Sequence, residues 1–176
     1  MGQSGAGNAE MPGIDELRTN VLVALADAPH SLVAVTSPRT DTRRLDVAAA
    51  LAESVEQTGR RVALVDADVS EPRDESAAPS STATTTAPAV SESNPALLVA
   101  EAFRDLLADT ADANDLVVVA CPPVLDVAET RAVTAACTAT VLLASQRTSR
   151  RDSTVQAARV LREAGARLLG VALRRS

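Results

Sequence analysis

The order of apolar runs along this chain predicts an α/β protein built on a doubly wound, mostly parallel sheet of about five strands flanked by helices. Three observations carry that expectation. Short runs rich in Val, Leu, Thr and Ala recur at 32–36, 62–65, 116–119, 140–144 and 168–173. Between them, apolar residues return every three or four positions, the period of an amphipathic helix. The runs at 62–65 and 116–119 are apolar at every position, which fits strands covered on both faces rather than strands with one wet face. Strands alternating with helices wind into one parallel sheet with right-handed crossovers.

Taken in order, residues 1–12 are Gly-, Ser- and Asn-rich and are expected to be disordered. Ile14, Leu17, Val21, Ala24, Leu25 and Ala28 then mark one face of a helix over 13–28. The first strand, 32–36, runs into a loop at 37–42, and Leu45, Ala48, Ala49, Ala52 and Val55 form the next helical stripe, closed by Gly59. The second strand, 62–65, ends in two acids, Asp66 and Asp68. From 71 to 94 the chain is Ser, Thr, Ala and Pro with Val90 as its one large apolar residue, too little to offset the entropy of ordering, so a disordered loop is expected. Leu98, Ala102, Phe103, Leu106 and Leu107 announce a third helix, with further helices near 127–136 and over 150–164. Residues 13–176 thus read as a single domain, consistent with a length that supports one α/β core.

Composition narrows the function. A net charge of −6 argues against a sequence-independent grip on nucleic acid, which needs a basic face. Two cysteines, Cys121 and Cys137, and no apolar run near the length of a membrane span point to a reduced, cytoplasmic protein that does not insert in a membrane by itself. Cys121 and the single histidine, His30, share no motif, so packing is the expected role of the thiol rather than nucleophilic catalysis.

Six short blocks in register give a more specific signal. They are Leu17-Arg18-Thr19-Asn20, Val35-Thr36-Ser37-Pro38, Val65-Asp66-Ala67-Asp68 with Pro72, Asn94-Pro95-Ala96-Leu97-Leu98, Pro122-Pro123-Val124-Leu125, and Ala164-Gly165-Ala166-Arg167-Leu168-Leu169-Gly170-Val171. In that order they resemble the cytoplasmic kinase domain of bacterial tyrosine kinases of capsule and exopolysaccharide synthesis. These are phosphate-loop ATPases related to the septum-site and partition ATPases. The resemblance implies an ATP- and Mg²⁺-dependent kinase that phosphorylates tyrosines in its own tail, docks on a membrane polysaccharide chain-length regulator, and assembles through its first helix.

The departures from that pattern fall on the chemistry. A phosphate loop needs glycines that turn backbone amides toward the anion, a lysine on the β- and γ-phosphates and a hydroxyl on Mg²⁺. In register, this chain has Asp41 and Arg43 for the glycines, Arg44 for the lysine, and Leu45 and Asp46 for the hydroxyls. There is no lysine at all in the chain, a bias that reads, with the abundance of alanine, as that of a GC-rich bacterial genome. Arginine is a planar fork where the loop wants a compact ammonium. Ala120-Cys121 stands where the family ends its third Walker strand in an acid. The chain has no tyrosine, and of the three helix positions aligned with the family's assembly contact, Pro12, Asp15 and Arg18, only Arg18 keeps the family residue.

Arg43, Arg44, Asp66 and Asp68 remain as a vestigial nucleotide site, and Arg18 as a partner contact. Carboxylates at i and i+2 at a strand's C-terminal end share a face at the crevice where such sheets bind ligands. There they either hold a cation or, as inherited acids, cap a turn or pair with Arg44. The sequence therefore predicts a pseudokinase-like domain with no catalytic residues, no bound metal and no cofactor. Its partners would be a membrane polysaccharide chain-length regulator or an active kinase paralogue, meeting it at the inner face of the membrane. The alternative is a weak nucleotide sensor or slow ATPase that uses ATP and Mg²⁺.

Overall fold

A computed structural model describes residues 13–28, 30–40, 43–67, 84–86, 101–145 and 150–174. The elements are α1 (Ile14–Ala24), β1 (Ser31–Thr36), α2 (Arg44–Glu56), β2 (Val62–Asp66), β3 (Thr84–Thr86), α3 (Glu101–Ala113), β4 (Leu116–Ala120), α4 (Thr130–Ala136), β5 (Ala139–Ser145), α5 (Arg151–Glu163) and β6 (Leu168–Arg174). The strands form one six-stranded sheet in the order β3-β2-β4-β1-β5-β6, and every pairing is parallel.

The continuous apolar runs are explained by helices on both faces. Val33, Val35, Val62, Leu64, Leu116, Val118 and Val141 turn toward α1 and α2, where they meet Ile14, Val21, Ala48, Leu51 and Val55. The residues between them, Ala34, Ala63, Val65, Val117 and Val119, turn the other way onto Phe103, Leu107 and Ala111 of α3 and Val133 of α4. Leu142 packs on Ala157, Ala158 and Leu161 of α5 on that second face. Each strand therefore serves two cores at a period of two, and a polar residue at a central position would be buried whichever way it pointed.

Two details differ from expectation. The first helix ends at Ala24 and unwinds through turns instead of reaching 28: Leu25 leaves helical backbone, with φ of −111° and ψ of 11°, and Ala28, directly before Pro29, is itself disfavoured in a helix. The sheet has six strands, the extra one coming from within the 71–94 segment expected to be a disordered loop. Thr84, Thr85 and Thr86 pair with Leu64, Val65 and Asp66 at the sheet edge. That strand is held by its backbone ladder, so it left no hydrophobic signature. The rest of 71–94, the 1–12 segment and Asp68 lie outside the described residues. Gly59 closes α2 with φ of 86°, a left-handed conformation that favours glycine after a helix.

Candidate functional site

Parallel strands bring their C-terminal ends to one edge, and that edge carries the residues singled out by sequence. Register sets Val35 beside Ala120 and Ala120 beside Asp66, so the ends of β1, β4 and β2 lie side by side. Asp66 is buried as the last residue of β2. At the equivalent place in β4 stands Ala120, followed by Cys121, which is buried with its Sγ 3.6 Å from the carbonyl oxygen of Val119. No carboxylate is offered from that strand end.

The loop after β1 is fastened to the loop after β4. Thr36 donates its hydroxyl to the Pro122 carbonyl at 2.7 Å. The amides of Val124 and Leu125 donate to the carbonyls of Ser37 and Pro38 at 3.0 and 3.2 Å, and the Ser37 hydroxyl donates to the Arg39 carbonyl at 2.7 Å. Pro122 and Pro123 have no amide hydrogens to compete, so the two chains run side by side with their donors assigned.

Asp126 completes the fastening. Its Oδ1 accepts from Arg39 Nη1 at 2.6 Å, and its Oδ2 accepts the backbone N–H of Thr40 at 3.1 Å. The Thr40 hydroxyl stands 3.5 Å from the same oxygen. In a phosphate loop, backbone amides face an anion. Here the Thr40 amide, in the loop after β1, faces a carboxylate that the chain itself supplies.

Arg43 and Arg44 open α2 but diverge. Arg44 is buried, with a residue exposure of 7%, whereas the Arg43 side chain is largely in water and lies 3.9 Å from Asp46. Both arginines, and Asp66, make further polar interactions within the protein. Arg43 caps α2 without a side-chain hydrogen bond, and Leu45, aligned with a Mg²⁺-binding hydroxyl, packs against the apolar cluster under α2. Among the described residues, no group of three His, Cys, Asp or Glu side chains could hold a metal ion.

Arg18 lies on α1 and is held within the chain. Its Nη1 donates to the Ser54 hydroxyl of α2 at 2.9 Å and pairs with Asp15 Oδ1 at 2.9 Å, while the Ser54 hydroxyl donates to Asp15 at 3.3 Å. The guanidinium is engaged in joining α1 to α2. His30, with φ of 56°, places Nδ1 3.1 Å from the carbonyls of Ala111 and Asn114 at the end of α3, so its ring serves a helix terminus and not Cys121. Cys137 is buried, and burial pushes its thiol up to about 12.

No family model matches the sequence, and no curated protein matches it. Solved structures do match in shape. The kinase domain of the Escherichia coli tyrosine kinase ETK superposes with a TM-score of 0.81 at 20% identity, covering 92% of this chain and 73% of that one. The BceF tyrosine kinase domain gives 0.76 at 22% identity over 91% and 75% of the two chains, and the VpsO kinase domain 0.75 at 21% over 93% and 94%. The fold is that of bacterial tyrosine kinase domains. A more distant match is a cobyrinic acid a,c-diamide synthase from Mycobacterium smegmatis with bound ADP and magnesium, with a TM-score of 0.58 at 19% identity over 81% and 74% of the chains.

Sequence reasoning missed Asp126, Arg39 and Ser54. Arg39 and Asp126 are 87 positions apart, and Arg18 and Ser54 are 36 apart, so no local motif joins either pair. The one available signal was an acid directly after Pro122-Pro123-Val124-Leu125, a block already matched to the edge that faces the phosphate loop.

Proposed function

We propose that this domain keeps the kinase frame without the phosphoryl-transfer chemistry and acts by docking on a protein partner. The observation that carries this reading is the Asp126 clamp, which takes the Thr40 amide at 3.1 Å and so gives the loop a built-in carboxylate in place of an external phosphate. Two further features support it. The lysine position is filled by a buried arginine, Arg44, and the β4 acid by Ala120. The residues present do not fit Mg-ATP, because a carboxylate at the mouth repels the triphosphate and the hydroxyl that would hold Mg²⁺ is Leu45.

Without tyrosine the chain has no residue of the kind its structural neighbours are named for modifying, so the partner takes the place of the substrate. The partner in this reading is a membrane-bound polysaccharide chain-length regulator or an active kinase of the same fold. Among the described residues no helix is long and apolar enough to cross a membrane, and in this reading the partner brings the domain to the inner face.

Calorimetric titration with ATP and with ADP, each with Mg²⁺, tests the reading, with an Arg44→Lys variant alongside. The expected result is no heat of binding from the natural chain. Micromolar binding, about −8 kcal/mol, would overturn it in favour of a nucleotide sensor built on Arg43, Arg44 and Asp66.

A further inference from the structure

The last strand is exposed in a way that the central strands are not. Every residue of β2, β4 and β5 is buried, and all but one of β1. In β6 none of Leu168, Leu169, Gly170, Val171, Ala172 or Leu173 is buried. Val171 is 46% exposed and Leu173 56%. β6 ends the sheet, so one side of its backbone pairs with β5 and the other has no strand partner among the described residues.

Edge strands are normally kept short, charged or broken by proline, because an open ladder recruits another strand. The opposite edge obeys this rule, since β3 is three residues long. β6 does not. It is seven residues long, with no proline and no charge before Arg174. Its two faces are also thinly covered. Val171 pairs in register with Leu142 and therefore shares the α5 face, where it stays exposed. Gly170 and Ala172 pair with Val141 and Leu143, and on that side a groove of about 360 Å³ runs beneath Ile14, Leu17 and Val21 of α1.

We infer that β6 is the seam of a homodimer, in which β6 of a second copy adds antiparallel to β6 across a two-fold axis at Ala172 and joins two sheets into one. Self-pairing suits this strand better than an unrelated partner. Centred on Ala172, it sets Val171 of each copy opposite Leu173 of the other, so the two exposed apolar side chains cover each other twice by symmetry. The same register puts Arg174 opposite Gly170, and no like charges meet across the seam. Ala172 faces its own copy, small enough for close approach. Arg18 of α1 is engaged with Asp15 and Ser54 of its own chain, so a seam at Val171 and Leu173 does not call on its guanidinium.

Sedimentation or light scattering at about 100 μM tests this, a concentration at which a 10 μM dimer is mostly assembled. The expected mass is twice the 18.1 kDa of one chain. Leu173→Lys, which sets an ammonium opposite Val171, is expected to give a monomer that still unfolds cooperatively, with a Tm that, unlike that of the natural chain, does not rise with protein concentration. Ala172→Cys is expected to cross-link under mild oxidation, because directly opposed antiparallel residues approach within disulfide range. Val155→Cys on α5 is expected not to. Both native thiols are buried, which keeps the background low. A monomer at that concentration would overturn the inference. So would a Leu173→Lys variant that melts normally and stays dimeric, or a dimer lost in Arg18→Ala but kept in Leu173→Lys.

Discussion

Replacing Asp126 by alanine measures how firmly the β1–α2 loop is closed. The carboxylate makes two contacts of good length, with Arg39 Nη1 at 2.6 Å and with the Thr40 amide at 3.1 Å, and a third at 3.5 Å too long to count. The Arg39 side chain is 61% exposed, so that ion pair is worth about 0.5 kcal/mol. A hydrogen bond from a backbone amide to a charged acceptor at the rim of the site adds about 1 kcal/mol. Asp126→Ala should therefore cost about 1.5 kcal/mol and Arg39→Ala about 0.5 kcal/mol, with a coupling of about 0.5 kcal/mol in the double-mutant cycle. For a chain of this size these correspond to drops in Tm of about 3–6 °C and 1–2 °C. Thermal melts in low salt and in 1 M NaCl separate the two parts, since about 3 Å of screening length removes the exposed ion pair and leaves the amide bond. The reasoning fails if Asp126→Ala costs no more than Arg39→Ala, because the Thr40 bond would then contribute nothing and the loop would be closed by its other contacts alone.

Three further outcomes are expected. Leu142 is fully buried against α5, so Leu142→Ala should lose about 3 kcal/mol and about 6–12 °C in Tm, read by denaturant and thermal unfolding. The Cys137 thiol, pushed up to about 12 by burial, should resist a thiol reagent at pH 8 in the folded protein and react at once in denaturant; rapid labelling of the folded chain would contradict the packing described. The Arg61 amide and guanidinium hold the Asp115 carboxyl below its ordinary value. Its contribution to stability is thus present above about pH 4 and is lost as pH falls through the lowered value. The stability gap between the natural chain and Asp115→Asn should accordingly narrow as pH falls below about 4, and a gap independent of pH would refute the assignment.

The sheet was legible because each central strand serves two cores. Val33, Leu64 and Val118 on one face and Ala34, Val65 and Val119 on the other leave no polar position to blur the run. The helices were legible from their buried stripes, though α1 stopped short where Pro29 outweighed the periodicity of Leu25 and Ala28. Thr84–Thr86 was not legible, since its partner is a backbone ladder and not a core. The site was half legible. Register set Arg43 and Arg44 after β1 and Asp66 at the end of β2, where the structure has them, yet it gave no hint that Arg44 would be buried while Arg43 stays in water, nor that Asp126 would cross from the β4–α4 loop to the amide of Thr40. Contacts between loops depend on where the sheet places them, and only the folded chain carries that information.

The same division separates what holds the sheet from what holds the loop after β1. The two cores draw their stability from Val, Leu and Ala on strands and helices, whereas the described part of the β1–α2 loop is tied by polar contacts from Asp126. Substitutions in that loop are therefore expected to leave the fold intact, while the Thr40 amide needs an acceptor. Asp126 answers that need from within the chain, and Arg39 balances its charge at the surface. A loop that depended on bound nucleotide for its shape would be stabilised by nucleotide through mass action. A loop tied by its own carboxylate has its anion already. Holding its shape with no ligand suits a surface that a protein partner must find ready-made.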